Sequence, residues 1–406
     1  MTEPQTRICI LGGGFGGLYT ALRLSQLPWQ KSEQPEIVLV DQNDHFLFLP
    51  LLYELLTNEL QSWEIAPAFA DLLKDTNVQF CQGIVSEIDI ENKQVKLQDD
   101  LQISYDYLVL AMGGETALDK VPGAKDYAIP FRSIADAYRL EEQLRRLETL
   151  DQDKIRIAIV GGGYSGVELA CKLADRLGTK GRIRIIEQAE EILKTSPEFN
   201  QESARNALLN RQVWIDLETT VAAVEVNKIS LEYRGEIDEI PVDLVLWTVG
   251  TQVSPLVRSL PLKHNQRGQI VTTSTLQVID HPEIFALGDL AESQDADGQK
   301  IPTTAQAAFQ QADYTGWNLW ALLTRRPLLP FRYINLGEMM TLGTNNATLT
   351  GLGIKLEGQF AHLTRRLIYL YRFPTFDHQI RVAFNWMTKP LQDFLISIDQ
   401  KMADRE

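Results

Sequence analysis

The sequence predicts an α/β protein in which two domains of alternating strands and helices are followed by a C-terminal region of amphipathic helices. Two observations support this fold class. A strand, a glycine-rich turn and a helix follow one another twice, first from residue 7 and again from residue 154, and the last segment of the chain places apolar side chains at helical spacing. A chain of 406 residues is long enough for two or three domains of ordinary size.

Composition excludes several classes of protein. The 39 Lys and Arg residues and 54 Asp and Glu residues give a formal net charge of −15, which argues against binding to nucleic acid. Cys9, Cys81 and Cys171 are too widely spaced for a disulfide framework or a C-x-x-C pair, and the five histidines lack metal-ligand spacing, so we predict no metal site. We interpret each cysteine as a small buried apolar residue in a reducing compartment.

The sequence predicts neither secretion nor a membrane span. The amino terminus lacks the basic and apolar segments of a secretory signal, so we expect the protein not to be secreted. A helix needs about 18 consecutive apolar residues to span a bilayer. Charge-free stretches such as 244–257 and 301–312 are shorter and contain Pro, Gly or polar residues.

The first glycine-rich segment has the form of a dinucleotide-binding turn. Strand-type residues 7–11 lead into three glycines spaced G-x-G-x-x-G, and a helical pattern follows. The first glycine permits a tight turn, the second lets the backbone approach a pyrophosphate, and the third lets the helix pack on the strand. The next strand, 37–40, ends in an acidic residue that can hydrogen-bond a ribose. The candidate cofactor-binding residues are Gly12, Gly14, Phe15, Gly16, Gly17 and Asp41.

The second glycine-rich segment repeats this form in full. Strand-type residues 154–160 lead into the same glycine spacing and a helix, and the following strand, 182–186, also ends in an acidic residue. Two such units predict two Rossmann-like domains and two dinucleotides, and an enzyme that holds two is expected to move electrons between them. The candidate residues here are Gly161, Gly163, Tyr164, Gly166 and Glu187.

Three later segments support a particular assignment of the two sites. Two of these segments have an acidic residue, then an apolar strand, then a glycine turn; they are residues 106–111 with Gly113 and residues 243–247 with Gly250. The third is a later strand that ends in Gly288 and Asp289. This set resembles the two-dinucleotide-binding-domain flavoproteins. The resemblance implies that the first turn binds FAD, that the second binds NAD(P)H, and that Asp289 contacts the ribityl and pyrophosphate region of the flavin.

The same resemblance implies the domain boundaries. Residues 1–115 and 266–330 are expected to form a discontinuous FAD-binding domain, and residues 116–265 an NAD(P)H-binding domain. The remaining residues, 331–406, are expected to form the C-terminal region. Disulfide reductases, peroxidases and sulfide:quinone reductases of this fold work through cysteines near the flavin, which this sequence lacks. The electron acceptor is therefore expected to be reduced without protein thiol chemistry.

Three segments are similar to the type II NAD(P)H:quinone oxidoreductases, the single-subunit, non-pumping NADH dehydrogenases. They are the loop 45–52, the A-Q-x-A-x-Q motif starting at Ala305, and the tail 360–390, although His362 replaces a common tryptophan and Ala312 a common glycine. The pattern looks most like the cyanobacterial and plastid branch that reduces demethylphylloquinone. This resemblance implies a membrane quinone as acceptor, FAD as cofactor, NAD(P)H as co-substrate, and a peripheral location on the cytoplasmic side of a thylakoid or plasma membrane.

Three residues are candidates for the chemistry. Gln306 and Gln310, four residues apart, share one helix face and are expected to hydrogen-bond a quinone carbonyl, the alternative being a polar exposed face. Glu168 is expected to relay a proton or to position the nicotinamide. Its alternative is an acid in the first helical turn that stabilises the helix dipole by roughly 0.3–1 kcal/mol. Ala305, which begins the quinone motif, is a candidate FAD contact.

The sequence gives opposing indications for NADH and NADPH. Glu187 accepts ribose hydroxyls but repels a 2′-phosphate, which favours NADH. The branch that the sequence resembles is associated with NADPH. We therefore write the co-substrate as NAD(P)H.

The tail has three apolar stripes. The first stripe lies on one helical face, opposite Arg365 and Arg372, and ends at Pro374; it consists of Leu363, Leu367, Leu370 and Tyr371. The second stripe includes Ile380, Phe384 and Met387. The third follows Pro390. Residues 362–390 carry a net charge of +4. This pattern predicts helices that lie on an anionic membrane surface. The alternative is packing on the protein's own core or on a second subunit in a homodimer.

A different class of function is also consistent with two nucleotide sites. The chain could be a soluble NAD(P)H-dependent reductase of a ferredoxin-like protein, or a redox-sensing binding module. Either one predicts weak quinone turnover and a protein partner.

Overall fold

The first sheet places the first glycine turn at its centre. A computed structural model describes residues 5–30, 34–150 and 152–403, and for residues 390–403 only the helical backbone. Six strands lie in the order Gln277–Val278, His281–Ala286, Tyr107–Leu110, Arg7–Leu11, Glu36–Asp41 and Val78–Gln82. All neighbours are parallel except the first two. The strand Arg7–Leu11 is buried and has parallel neighbours on both sides, so its carboxyl end opens at a switch point where ligands bind in such sheets.

The second sheet repeats this arrangement. Five parallel strands lie in the order Trp214–Asp216, Gly181–Ile186, Ile155–Val160, Leu244–Trp247 and Ala128–Pro130. The strand before the second glycine turn, Ile155–Val160, again lies between two parallel neighbours. The predicted class of two Rossmann-like units is therefore confirmed.

The repeated acidic residues before two strands have equivalent structural roles. Asp106 accepts a hydrogen bond of 2.7 Å from the backbone N–H of Arg7, and Asp243 accepts one of 2.7 Å from the N–H of Arg156. Each carboxylate thereby fixes the start of the central strand of its own sheet.

Eleven α-helices lie within the described residues. They are α1 (Phe15–Gln26), α2 (Ser62–Ile65), α3 (Phe69–Leu73), α4 (Ala124–Tyr127), α5 (Ile134–Thr149), α6 (Tyr164–Leu177), α7 (Glu198–Asn210), α8 (Pro255–Arg258), α9 (Ala305–Leu323), α10 (Gly358–Arg372) and α11 (Phe376–Ala403). A 3₁₀ helix, Leu49–Leu55, precedes α2. Helices α1 and α6 start directly after the two glycine turns, as predicted.

Five smaller sheets complete the structure. Three have three strands each: Val85–Asp89, Gln94–Leu97 and Gln102–Ser104; Thr219–Val224, Lys228–Tyr233 and Glu236–Pro241; and Glu338–Thr341, Ala347–Gly351 and Ile354–Glu357. Two have two strands each: Glu115–Thr116 with Thr251–Gln252, and Ile270–Val271 with Ala291–Glu292.

The C-terminal helices fold back over the first half of the chain. The hydroxyl of Tyr19 in α1 donates to the carbonyl of Arg372, and the Phe48 ring contacts those of Tyr369 and Phe373 at centroid distances of 5.2 and 4.9 Å. Helix α10 ends before Pro374, as predicted. Pro390 does not divide the chain, because α11 runs through it, and the side chains of the third predicted stripe lie outside the described residues.

Candidate functional site

The first glycine turn has the shape of a phosphate cradle. Gly12 has a φ of +98°, and a Cβ on Gly17 would lie 1.8 Å from the Gly12 carbonyl oxygen, so both positions require glycine. A Cβ on Gly14 would meet no atom within 4 Å, so the backbone there faces open space. Helix α1 has Gly14 as its N-cap and no capping side chain, which leaves its first N–H groups available to an anion.

The second glycine turn reproduces these features. Gly161 has a φ of +113°, and a Cβ on Gly166 would lie 1.9 Å from the Gly161 carbonyl oxygen. Gly163 faces open space and caps α6 without a side chain. Because both turns combine an open glycine with an uncapped helix start, both fit the pyrophosphate of a dinucleotide.

Each strand-end carboxylate braces its own glycine turn. Asp41 accepts hydrogen bonds from the N–H of Gly13 at 2.6 Å and of Asn43 at 2.8 Å. Glu187 does the same for Gly162 and Ala189, both at 2.7 Å. The acidic residues therefore lie beside the turns, where the sequence predicts the ribose of each nucleotide.

The other predicted cofactor contacts differ in whether they face open space or already contact other residues of the protein. Gly113 has a φ of +68° and faces open space, whereas the carbonyl of Gly250 accepts a hydrogen bond of 2.7 Å from Ala117. Asp289 lies in a 3₁₀ turn and pairs with Arg132 at 3.1 Å. Arg132 also donates to Thr251 at 2.8 Å, so it joins the predicted flavin residue Asp289 to Thr251, a role that its surroundings in the sequence do not indicate.

Four predicted cofactor contacts either bind other parts of the protein through their side chains or have side chains too small to extend toward a ligand. The Phe15 ring packs edge-on against Phe46 and Phe48, with both centroid distances 5.3 Å, so it contributes to the core. Gly16 packs against Leu287. The hydroxyl of Tyr164 bonds to Glu338, which lies in the C-terminal region. Ala305 begins α9.

The two glutamines of the quinone motif hold a neighbouring segment. Gln310 forms a paired amide contact with the backbone of Ile334, accepting at 3.0 Å and donating at 2.9 Å. Gln306 accepts from the N–H of Leu336 at 3.0 Å and donates to the carbonyl of Gly337 at 3.2 Å. Residues 334–337 therefore occupy the amide groups that the sequence assigns to a quinone.

Glu168 is buried in the second turn of α6. It follows four residues after the start of the helix, so the alternative of a first-turn acid is wrong. Its Oε1 accepts from the N–H of Thr341 at 2.9 Å and lies 3.6 Å from Nη2 of Arg365. Burial raises the pKa of Glu168 to about 8, although Arg365 and the Thr341 hydrogen bond oppose this. The carboxyl group can therefore hold a proton at neutral pH.

Arg365 is the main site residue that the sequence did not reveal. Helical spacing places it on a charged, solvated face, yet its side chain is fully buried. Its Nη1 lies 2.5 Å from Oε1 of Glu54, and its Nη2 donates to the carbonyl of Pro50 at 2.7 Å. The signal available in the sequence was Glu54, a single acidic residue inside the apolar run 47–56.

The cysteines have no arrangement for thiol chemistry. All three are free, and burial raises the pKa of both Cys9 and Cys171 to about 12. Cys81 lies in the strand Val78–Gln82 but is only half-buried, so its interpretation as a buried residue is wrong.

Comparison with known proteins agrees with this geometry. Residues 6–312 match the family described as pyridine nucleotide-disulphide oxidoreductase. The demethylphylloquinone reductase NdbB of Synechocystis sp. is 59% identical over 399 residues, covering 97% of this chain and 99% of that protein. The alternative NAD(P)H-ubiquinone oxidoreductase C1 of Arabidopsis thaliana is 43% identical, covering 98% of this chain and 84% of that protein.

The solved structures agree on the fold. The structure of NDH2 from Plasmodium falciparum in complex with NADH has a TM-score of 0.84 at 17% identity, covering 95% of this chain and 98% of that chain. With two matching nucleotide cradles, no thiol pair and these relatives, the chain belongs to the pyridine nucleotide-disulphide oxidoreductase family and, within it, to the type II NAD(P)H:quinone oxidoreductases.

Proposed function

We propose that this protein oxidises NAD(P)H and reduces a membrane naphthoquinone of the demethylphylloquinone type. FAD held at the first glycine turn would supply the hydride acceptor and two-electron donor that this reaction needs. The observation that carries the proposal is the pair of equivalent cradles, with the buried Glu168 one turn beyond the second of them. The substrate class rests on the name of the Synechocystis relative.

The substrate class is tested by steady-state turnover of naphthoquinones and benzoquinones with equal isoprenoid tails. Faster turnover of the naphthoquinone supports the proposal. A soluble reductase of a ferredoxin-like protein would turn over both quinones weakly, so the same assay separates the two functions.

The residues of the two nucleotide sites bind the dinucleotides and orient them. The open glycines and helix starts of α1 and α6 receive the two pyrophosphates, and Asp41 and Glu187 fix the turns beside the riboses. The carboxylate of Glu187 disfavours a 2′-phosphate, which favours NADH over NADPH as the co-substrate.

Gln306 and Gln310 border the proposed quinone site. Both amides bind the backbone of residues 334–337, so either one is free for a quinone carbonyl only when that segment moves. With the segment in place, the two side chains position the rim of the site.

Glu168 supplies a proton to the quinone in this proposal. The Glu168→Gln variant should slow reoxidation of the reduced protein by quinone about 100-fold, because a general acid contributes roughly that factor. In the parent protein the reoxidation rate should fall as the pH rises through about 8, where Glu168 loses the proton it donates. The variant should show no such fall. Stopped-flow measurements of reoxidation from about pH 6 to about pH 9, below and above the pKa of Glu168, determine both effects.

Two outcomes would contradict this role. Equal reoxidation rates for parent and variant at every pH would remove Glu168 from proton delivery. Slower reduction by NAD(P)H with an unchanged pH profile would instead make it a nicotinamide-positioning residue.

The tail presents an apolar face suited to a membrane surface. Nine large apolar side chains of α10 and α11 are exposed, and we name them the apolar face: Phe360, Leu363, Leu367, Ile368, Tyr371, Phe376, Ile380, Phe384 and Met387. For these nine side chains the alternative of packing on the protein's own core is therefore wrong, whereas Leu370 of the first predicted stripe packs against the core. Within the described ranges, no helix combines the length and apolar content that a membrane span requires. We infer that the face lies in the interface of an anionic bilayer, on the cytoplasmic side of a thylakoid or plasma membrane.

Polar substitutions on this face should release the protein from membranes. The double variant Leu367→Gln, Phe384→Gln should lose vesicle binding at least about tenfold, because each buried apolar side chain contributes roughly 1.5–3 kcal/mol. Co-flotation with vesicles containing anionic lipid measures this. Deleting residues 360–406 is a poorer test, because it also removes the buried Arg365.

The matched control is Leu209→Gln on α7, which is 73% exposed and lies outside the tail. Its vesicle binding should equal that of the parent protein. Vesicle binding that survives the double variant, or a parent protein that forms a homodimer and ignores vesicles, would contradict the membrane proposal.

A further inference from the structure

A cluster of buried charged groups lies next to Glu168 and has no role in the steps above. Lys172 follows Glu168 by one helical turn on α6; its side chain is fully buried and pairs with Glu59. We name Glu54, Glu59, Lys172, His362 and Arg365 the buried charge cluster. Burial alone would raise the pKa of Glu54, but Arg365 and Lys172 lower it, so its carboxylate stays ionised.

The cluster contains more polar atoms than its own side chains satisfy. Within the described part of the chain, five of its buried atoms have no hydrogen-bond partner: Oε2 of Glu54, Oε1 of Glu59, both ring nitrogens of His362, and Nε of Arg365. Buried polar groups in proteins are almost always paired, and internal water is the usual partner when side chains are not. A set of such atoms in one place therefore marks a site built for a group of internal waters.

The cluster extends from the protein surface to Glu168. Glu59 is its outermost member, with 10% of its side chain exposed. Beside it, Lys389 of α11 donates to the backbone carbonyls of Asn58 and Glu59 at 2.8 and 2.9 Å. At the inner end, Arg365 lies between Glu54 and Glu168. The outer end of the cluster thus lies against helix α11 of the tail.

Quinone reduction by a nicotinamide consumes one proton from water. NAD(P)H supplies a hydride, so the balanced reaction is NAD(P)H plus one proton plus quinone giving NAD(P)⁺ plus quinol. We propose that the buried charge cluster, with waters bound to its unpaired atoms, conducts this proton from the surface at Glu59 to Glu168. The inference rests on the proposed function and adds a route by which Glu168 regains its proton.

The charges around the cluster suit proton transfer. His362 of α10 faces Glu59, Arg366, Lys172 and Glu54, and burial lowers its pKa to about 4, so it is neutral and can both accept and donate a hydrogen bond. Glu168 faces Arg365, Glu54 and Lys172. Across the cluster, carboxylates and cations alternate, so no step leaves an isolated charge inside the protein.

The test uses the full-length protein loaded with FAD and two variants, Lys172→Met and Glu59→Gln. We expect reduction by NADH to stay within about twofold of the parent protein, because hydride delivery does not draw a proton from this route. Reoxidation by a short-chain naphthoquinone should slow about tenfold, with a steeper fall toward high pH, and millimolar imidazole should restore the rate by carrying the proton. A lost packing contact would not produce the rescue.

The matched control is Lys228→Met, which breaks an exposed ion pair with Glu239 at 2.9 Å. The two residues lie on the hairpin formed by the strands Lys228–Tyr233 and Glu236–Pro241. This variant should behave as the parent protein. If Lys172→Met fails to fold, Glu59→Gln at the rim carries the test alone. Parent-like reoxidation rates and pH profiles in the variants would overturn the route and leave the proposed function intact. A parent protein that naphthoquinones do not reoxidise would overturn both.

Discussion

Valine at Gly14 will give a folded protein that binds no FAD, whereas valine at Gly163 will give a yellow protein that NAD(P)H reduces at least roughly 100-fold more slowly. Both glycines have ordinary extended backbone angles, and a Cβ at either one meets no atom within 4 Å. The new side chain therefore costs the fold little and occupies only the space of a pyrophosphate. Flavin absorbance per protein after desalting and the rate of anaerobic reduction measure the two effects.

Alanine at Gly17 and at Gly166 provides the contrast. A Cβ there would lie 1.8 or 1.9 Å from a backbone carbonyl oxygen, so we expect these variants to misfold rather than to lose one ligand. The assignment of cofactors would be contradicted if Gly14→Val retained FAD, and it would be reversed if Gly163→Val were the colourless protein.

Replacing Arg365 with methionine should lower the free energy of unfolding by about 3–5 kcal/mol, the usual cost of leaving one partner of a buried ion pair without its counter-charge. Glu54 would remain buried with only Lys172 left to favour its ionised form, and the carbonyl of Pro50 would lose its donor. Urea unfolding followed by circular dichroism measures the change.

Two further variants check the explanation. Arg381→Met is a matched control, because the side chain of Arg381 is 61% exposed. The free energy of unfolding of this variant should differ from that of the parent protein by no more than about 0.5 kcal/mol. Combining Glu54→Gln with Arg365→Met should recover part of the loss. A loss below about 1 kcal/mol in Arg365→Met would show that the pair does not anchor the tail.

The sequence predicts the strand and helix on either side of each glycine turn well, because the signals there are local. The strand Arg7–Leu11 has the predicted bounds, and the second fingerprint strand starts one residue later than predicted, at Ile155. Glycine spacing, strand and helix all lie within about 30 residues in each unit, the usual length of such a motif. The chemistry of a turn of this kind is therefore readable without the rest of the fold.

The part of the site under the tail was not predictable in the same way. Arg365 and Glu54 lie 311 positions apart, and helical periodicity assigns an arginine to the solvent unless its partner is known. Gln306 and Gln310 likewise bind backbone groups 24–31 positions away, so their spacing alone could not show that another segment occupies them. Most positions of the first two predicted apolar stripes are exposed, whereas Leu370 packs against the core, and which face lies outward depends on that buried arginine.

An anaerobic double-mixing experiment tests most directly whether electrons pass from NAD(P)H through FAD to a naphthoquinone in one protein. The FAD-loaded protein is first mixed with one equivalent of NADH or NADPH and then with a naphthoquinone, while flavin absorbance is recorded. We predict complete bleaching in the first step and complete recovery in the second, with one quinol formed per nucleotide oxidised. Bleaching without recovery, or recovery only when a protein acceptor is added, would contradict the claim.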